Sequence, residues 1–143
     1  PLGIMGIVCP QDAPLLGFVS LMAPAIAAGN RTVILPSDIY PLAATDFYQV
    51  LETSDVPAGV VNIVTGEHDV LTSTLAEHEE VNGLWYFGKA GGVAAVEAAS
   101  ISNVKQTWGH KEKAYNWSAP YAQGRRFMEK SSQIKNVWVP YGA

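Results

Sequence analysis

"GLWYFGKAGG", residues 83–92, decides the fold. Leu84, Trp85, Tyr86 and Phe87 form a short apolar run rich in aromatic side chains, the composition of a buried strand. Gly88 ends that run, and Gly91-Gly92 opens an alanine-rich helix that extends to Ser100. Strand, glycine turn and helix in that order make a βα unit. The stretch also mimics a phosphate-binding P-loop, because Gly83 is followed by four residues, then Gly88 and Lys89. The mimicry fails on chemistry. A P-loop needs backbone N–H groups free to face phosphates, whereas those of residues 84–87 belong in a strand ladder. Ala90 also lacks the hydroxyl that would hold magnesium.

Position is what survives. In open α/β sheets, ligands bind beyond the C-terminal ends of the strands. A helix N-terminus at that place offers unpaired N–H groups and a partial positive charge. Lys89 adds a cation, so Gly88, Lys89 and Gly91 are candidate contacts for a pyrophosphate. The competing reading is a tight strand-to-helix turn that simply needs glycines. No G-x-G-x-x-G is present, and spacing alone favours that plainer reading.

The same alternation continues on both sides. Residues 2–8 read as a buried strand ended by Cys9-Pro10, and residues 15–28 as a helix that Pro24 should kink and Gly29-Asn30 should close. Residues 32–35 make a second strand. Pro41 opens a second helix on which Leu42, Phe47, Val50 and Leu51 share one face. A turn at 56–59, a strand at 60–64, a helix at 69–77 and a further strand at 104–108 follow. Strands of four to seven apolar residues alternating with helices predict an α/β fold. The expected form is a Rossmann-like parallel sheet with helices on both faces and right-handed crossovers.

The C-terminal part differs. Residues 111–122 are polar and aromatic without a period and read as a linker. Residues 123–130 read as a short helix and 134–140 as a last strand ended by Pro140, with nothing that visibly completes another βα unit. Trp108, Tyr115, Trp117 and Tyr121 gather around the linker, where they would pack it onto the domain or a partner.

The totals bound the function. A chain of 143 residues with 48% apolar and 15% charged residues suits one globular domain. Net charge is −4 with no dense basic patch, so nucleic-acid binding is unsupported. No apolar run is long and unbroken enough to span a membrane. The single cysteine, Cys9, excludes an intrachain disulfide and points to a reducing, cytoplasmic setting. Cys9 ends a buried strand with no base near it in sequence, so it reads as a small core side chain rather than a nucleophile. His68, His78 and His110 have no metal-ligand spacing and are expected on the surface or in loops. Glu79 and Glu80 beside His78 read as a solvated turn. Sequons at Asn30 and Asn116 read as chance matches. The opening at Pro1, straight into a strand, suggests a segment of a longer polypeptide.

Several runs together resemble the NAD-binding half of the aldehyde dehydrogenase family. "PLGIMGIVCPQDAPLL" is similar to that family's P-x-G-V-V-G-I-I-x-P-W-N-F-P-L stretch. Residues 22–30 match A-P-A-L-A-A-G-N, "VPAGVVNIVTG" matches L-P-x-G-V-V-N-V-V-x-G, and "VILPSDIYPL" resembles V-L-K-P-S-E-x-T-P-L. "LWYFGKAGGVAAVEAAS" resembles the F-T-G-S-T-x-x-G cofactor turn with its helix. The resemblance covers residues 1 to 110 and implies a dinucleotide fold for NAD or NADP, with residues 111–122 standing in place of a catalytic lobe and residues 123–143 as a C-terminal helix and strand.

The departures carry equal weight. Asp12 stands where the family has the Asn whose amide helps hold the oxyanion, and a carboxylate would oppose that charge. Leu35 replaces the Lys that binds the ribose hydroxyls, while Asp38 replaces the following Glu and could still reach a ribose. Lys89 replaces the Ser at the pyrophosphate, Phe87 the Thr before its Gly, and Val93 the second Gly. His110 falls at or near the general-base Glu. The catalytic Cys expected about thirty residues later has no counterpart, which leaves no residue as a catalytic candidate. "SSQIKNVWVPYGA" resembles the family's C-terminal oligomerisation strand, so the chain is similar to the truncated second module of long tandem (family 16) aldehyde dehydrogenases.

Three functions follow from the resemblance. The first is a non-catalytic, nucleotide-binding-like domain that docks to a catalytic aldehyde dehydrogenase module of the same or another chain and forms homo-oligomers through its last strand. The second is the cofactor-binding part of an active NAD(P)-dependent enzyme, with Asp38, Gly88, Lys89 and Gly91 as contacts. The third is a vestigial fold that binds no nucleotide, favoured over the second by the loss of Lys at position 35.

Overall fold

The computed structural model describes residues 1–110 and 115–142; part of the expected linker, 111–114, lies outside the described residues. Five strands form one parallel sheet: β1 (Ile4–Val8), β2 (Arg31–Leu35), β3 (Val61–Ile63), β4 (Gly83–Tyr86) and β5 (Gln106–Gly109). Among the described residues six α-helices accompany them: α1 (Pro14–Ala27), α2 (Leu42–Thr45), α3 (Tyr48–Thr53), α4 (His68–Glu77), α5 (Gly92–Ala99) and α6 (Arg125–Lys130). The strand order is β3-β2-β1-β4-β5. Among the described residues, no helix is long and apolar enough to cross a membrane.

Both faces of the sheet are covered because the central strands β1 and β4 are apolar along their length and the strands alternate their side chains between two cores. Met5, Ile7, Ile34, Trp85 and Phe87 point into one core with Phe18 and Leu21 of α1, Leu51 of α3 and Phe127 of α6. Val8, Leu35, Leu84 and Tyr86 point into the other with Leu75 of α4 and Val93 and Val96 of α5. The expected α/β fold with helices on both faces is therefore the observed one.

The C-terminal part supplies a layer over one face of the sheet. Tyr115, Trp117, Ala122 and Phe127 are buried against β4 and β5. Trp108 meets Trp85 and Phe127 edge-on at centroid distances of 5.1 and 5.2 Å, and Phe87 meets Trp117 at 5.2 Å. Arg126 lies over the Trp108 ring at 5.6 Å. The aromatic residues around the expected linker do pack onto the domain. Asn30 then ties this layer to the start of the sheet. Its amide donates to the carbonyls of Ala25 and Ser131 at 2.9 and 2.8 Å, and its oxygen accepts from Gly3 N–H at 3.0 Å. Asn30 is buried, which removes it as a glycan acceptor.

Two expectations need correction. The second helix is broken into α2 and α3 around Asp46-Phe47, so its four apolar residues do not share a face. Leu51 is buried and Phe47 packs on the core, while Leu42 and Val50 are exposed. The expected last strand has no ladder partner among the described residues: residues 133–142 carry no regular structure. Ser131, bonded to Asn30 and Pro24 beside the end of α1, releases the chain at the margin of the fold.

Candidate functional site

β1 and β4 are neighbours, yet the helices that follow them leave to opposite faces of the sheet. Such a switch point opens a crevice at the C-terminal ends of the strands. Here it is a cavity of about 360 Å³. Pro10, Gln11 and Asp12 after β1 form one lip, Gly88 and Lys89 after β4 the other, and His110, Tyr115 and Trp117 a wall. The indole Nε1 of Trp117 is buried with no hydrogen-bond partner among the described residues.

The glycine turn is where the sequence placed it. Gly91 caps α5 in the left-handed region at φ 85°, a conformation strained for any L side chain. The need for Gly88 and Gly92 has a different cause. Tyr86 curls back under the turn and its hydroxyl donates to the Lys89 carbonyl at 3.2 Å. A Cβ on Gly92 would fall inside that hydroxyl, and one on Gly88 would press the same ring. The two glycines thus make room for the protein's own phenol beneath the turn. Burial raises the Tyr86 pKa, and the nearby Asp69 carboxylate raises it further.

Lys89 is also engaged. Its ammonium donates to Asp69 Oδ2 at 3.0 Å, and that hydrogen bond, with the charge of Asp69, holds its pKa above the ordinary lysine value. Asp38, exposed on the loop after β2, adds a weaker pull of the same sign. The structure therefore brings Asp38, Gly88, Lys89 and Gly91 to one end of the sheet. Between α4 and α5 lies a second groove of about 250 Å³, floored by Ala76, Tyr86 and Val96. Lys89 borders the crevice and Asp69 borders the groove, so the ion pair stands between the two.

His68 is not a surface residue, contrary to the expectation. It is 3% exposed. Its Nε2 meets the Pro36 carbonyl, and its Nδ1 meets Gln11 Nε2 at 3.1 Å. Ser37 Oγ donates to Gln11 Oε1 at 2.6 Å, which fixes the amide orientation. Gln11 must then donate to Nδ1, so the ring hydrogen sits on Nε2 and points at Pro36. This cluster locks the loops after β1 and β2 to the start of α4. The other residues stand as expected: His78, Glu79 and Glu80 are exposed, His110 is exposed at the crevice wall, and Cys9 is buried. Burial pushes the Cys9 thiol far above its ordinary range, the reverse of what a nucleophile needs.

Sequence reasoning missed Asp69, Tyr86 and Gln11. Asp69 carried a signal, as an acid in the first turn of a helix. Tyr86 read as one more strand residue, and Gln11 is 57 residues from its partner His68. A dinucleotide fits these residues only in part. Lys89 offers a cation at the turn, but Asp69 already pairs with it, and Tyr86 packs against Gly88 and Gly92 from beneath.

The model of the aldehyde dehydrogenase family matches residues 1–108. 2-Hydroxymuconic semialdehyde dehydrogenase of Pseudomonas putida is 36% identical over 107 residues, which are 74% of this chain and 22% of that protein. Human retinaldehyde dehydrogenase 3 is 35% identical over the same length, 74% of this chain and 21% of its own. Among solved structures, aldehyde dehydrogenase C of Pseudomonas syringae, in complex with NAD+ and octanal, superposes with a TM-score of 0.74 at 31% identity. That match covers 78% of this chain and 23% of the other. The chain thus spans about a fifth of the length of these curated relatives.

Proposed function

The chain belongs to the aldehyde dehydrogenase family, and from that premise we propose that it is a non-catalytic unit of nucleotide-binding type that serves the assembly of a larger aldehyde dehydrogenase. The tail carries this reading. Ile134, Val137, Trp138, Val139 and Tyr141 are between 70% and 99% exposed. Each such side chain gains roughly 1.5–3 kcal/mol on burial, so together they favour association. Within the chain, two features support a non-catalytic role. The sole cysteine is buried with its thiol held protonated. Asp12 offers a carboxylate where negative charge would have to develop.

Light scattering tests the reading. The full chain should run as an oligomer, and a variant lacking residues 133–143 should run at monomer mass. The cut falls after Ser132 because the Ser131 carbonyl is bonded to Asn30. Equal masses for the two proteins would refute assembly through the tail.

One observation favours a second reading, the cofactor-binding part of an active NAD(P)-dependent enzyme. The unpartnered Trp117 Nε1 belongs to a wall of the crevice and could serve a ligand's acceptor. Calorimetric titration of the folded chain with NAD and NADP separates the two. Saturable heat weakened by Lys89→Ala supports the second reading, and no heat supports the first.

A further inference from the structure

The charges of this chain are segregated. Residues 1–103 hold eleven of the thirteen acidic side chains and two of the nine basic ones, a net charge of −9. Residues 104–143 hold the other seven basic and two acidic side chains, a net charge of +5. No acidic side chain follows Glu129. Such asymmetry points to an acidic partner for the basic end.

Three cations stand where the tail begins. Arg126 and Lys130 are four residues apart on one side of α6, and Lys135 follows in the tail itself. All three are exposed, and none is in an ion pair among the described residues. Arg126 rests on the Trp108 ring with its charge unpaired. Arg125 differs, since Glu129 pairs with it at 2.7 Å.

The apolar side chains beside these cations suit a lipid interface. Trp138 and Tyr141, both exposed, carry the amphipathic rings that collect at the headgroup level of bilayers. Ile134, Val137 and Val139 are exposed with them. Val137, Trp138 and Val139 are consecutive, so in an extended chain they point to both sides. A lipid interface surrounds the segment and takes all three. A nucleic acid would use the cations and stack on Trp138, but it would leave the aliphatic side chains in water.

The tail also leaves at a suitable place. Asn30 holds Ser131 at the N-terminal end of the sheet, and Gln133 lines a surface pocket there with Glu79, Lys105 and Gln106. Lys105 offsets Glu79 in that pocket. Asp12, Asp38 and Asp69 follow β1, β2 and β3, at the opposite end. A chain resting on its tail turns its crevice away from the lipid.

We propose that the tail docks this chain on an anionic lipid surface, with Arg126, Lys130 and Lys135 at the phosphates and residues 134–141 at the boundary between headgroups and acyl chains. The chain lies on the membrane and does not span it. The inference goes beyond the assembly reading, because a lipid surface and a protein partner compete for one tail.

Co-sedimentation of the full chain with vesicles is the test. Vesicles of phosphatidylcholine and phosphatidylserine in equal parts should pellet the chain, and vesicles of phosphatidylcholine alone should bind it at least about tenfold more weakly. A basic side chain at an anionic surface strengthens binding about fivefold, so Lys130→Gln with Lys135→Gln should weaken it about 25-fold with the circular dichroism unchanged. Added salt should weaken it further. Equal binding to both kinds of vesicle, binding undiminished by removal of residues 133–143, or retention by single-stranded RNA in place of vesicles overturns the inference. The oligomeric mass is read separately. A chain that ignores the mixed vesicles yet falls to monomer on deletion overturns the lipid surface and leaves assembly standing. A chain that binds them through its tail but keeps one oligomeric state with and without residues 133–143 upholds the lipid surface and refutes assembly.

Discussion

The crevice and the tail are opposites. Around the crevice most polar groups are spent inside the chain: Lys89 on Asp69, the Tyr86 hydroxyl on the Lys89 carbonyl, and Gln11 on His68 and Ser37, with the Trp117 indole Nε1 the exception. In the tail the apolar groups have met nothing, and Trp138 is 91% exposed. A region whose interactions are satisfied internally contributes stability. A region whose interactions are unsatisfied selects a partner. On the proposed reading the crevice serves as structure, and the working surface is residues 133–142, which the sheet does not hold.

The comparison fails first if the tail is not rooted in the core. Phe127 sits at the centre of the aromatic layer that carries it, so Phe127→Ala should cost about 3–5 kcal/mol in urea unfolding. An unchanged midpoint would mean that α6 is an appendage. Asn30→Ala sharpens the same point. It strands Gly3 N–H and the Ser131 carbonyl and should cost about 1–3 kcal/mol by the same assay. The smallest effect is on the crevice side. Burial holds the Cys9 proton in the native state, whereas the unfolded thiol loses it above about pH 8.5. The contribution is therefore complete below that pH and declines as pH rises, by about 1.4 kcal/mol per unit. Stability measured from pH 8 to 10 should fall less steeply in Cys9→Ala. Parallel curves would mean that the thiol titrates normally and that the crevice lip is wetter than its packing implies.

Much of the sheet was legible because a strand buried on both faces leaves an unbroken apolar run, as in residues 84–87. The glycine turn was legible because Gly91 needs a positive φ. The break between α2 and α3 was not, since Leu42 and Val50 fit a helical period yet face solvent. His68 escaped because its partners come from loops after two other strands. The packing of the aromatic residues around the linker was expected, but their partners were not legible, because residues without a period fill a space that only the assembled sheet defines.

Trp138 gives the most direct measurement. Its emission, taken as the difference between the full chain and Trp138→Phe, can be followed through a dilution series. If the tail is the working surface, the emission should be blue and protected at high concentration and shift red on dilution as partners separate. Emission that stays red at every concentration would mean that Trp138 never leaves water, and that the tail is not where this chain acts.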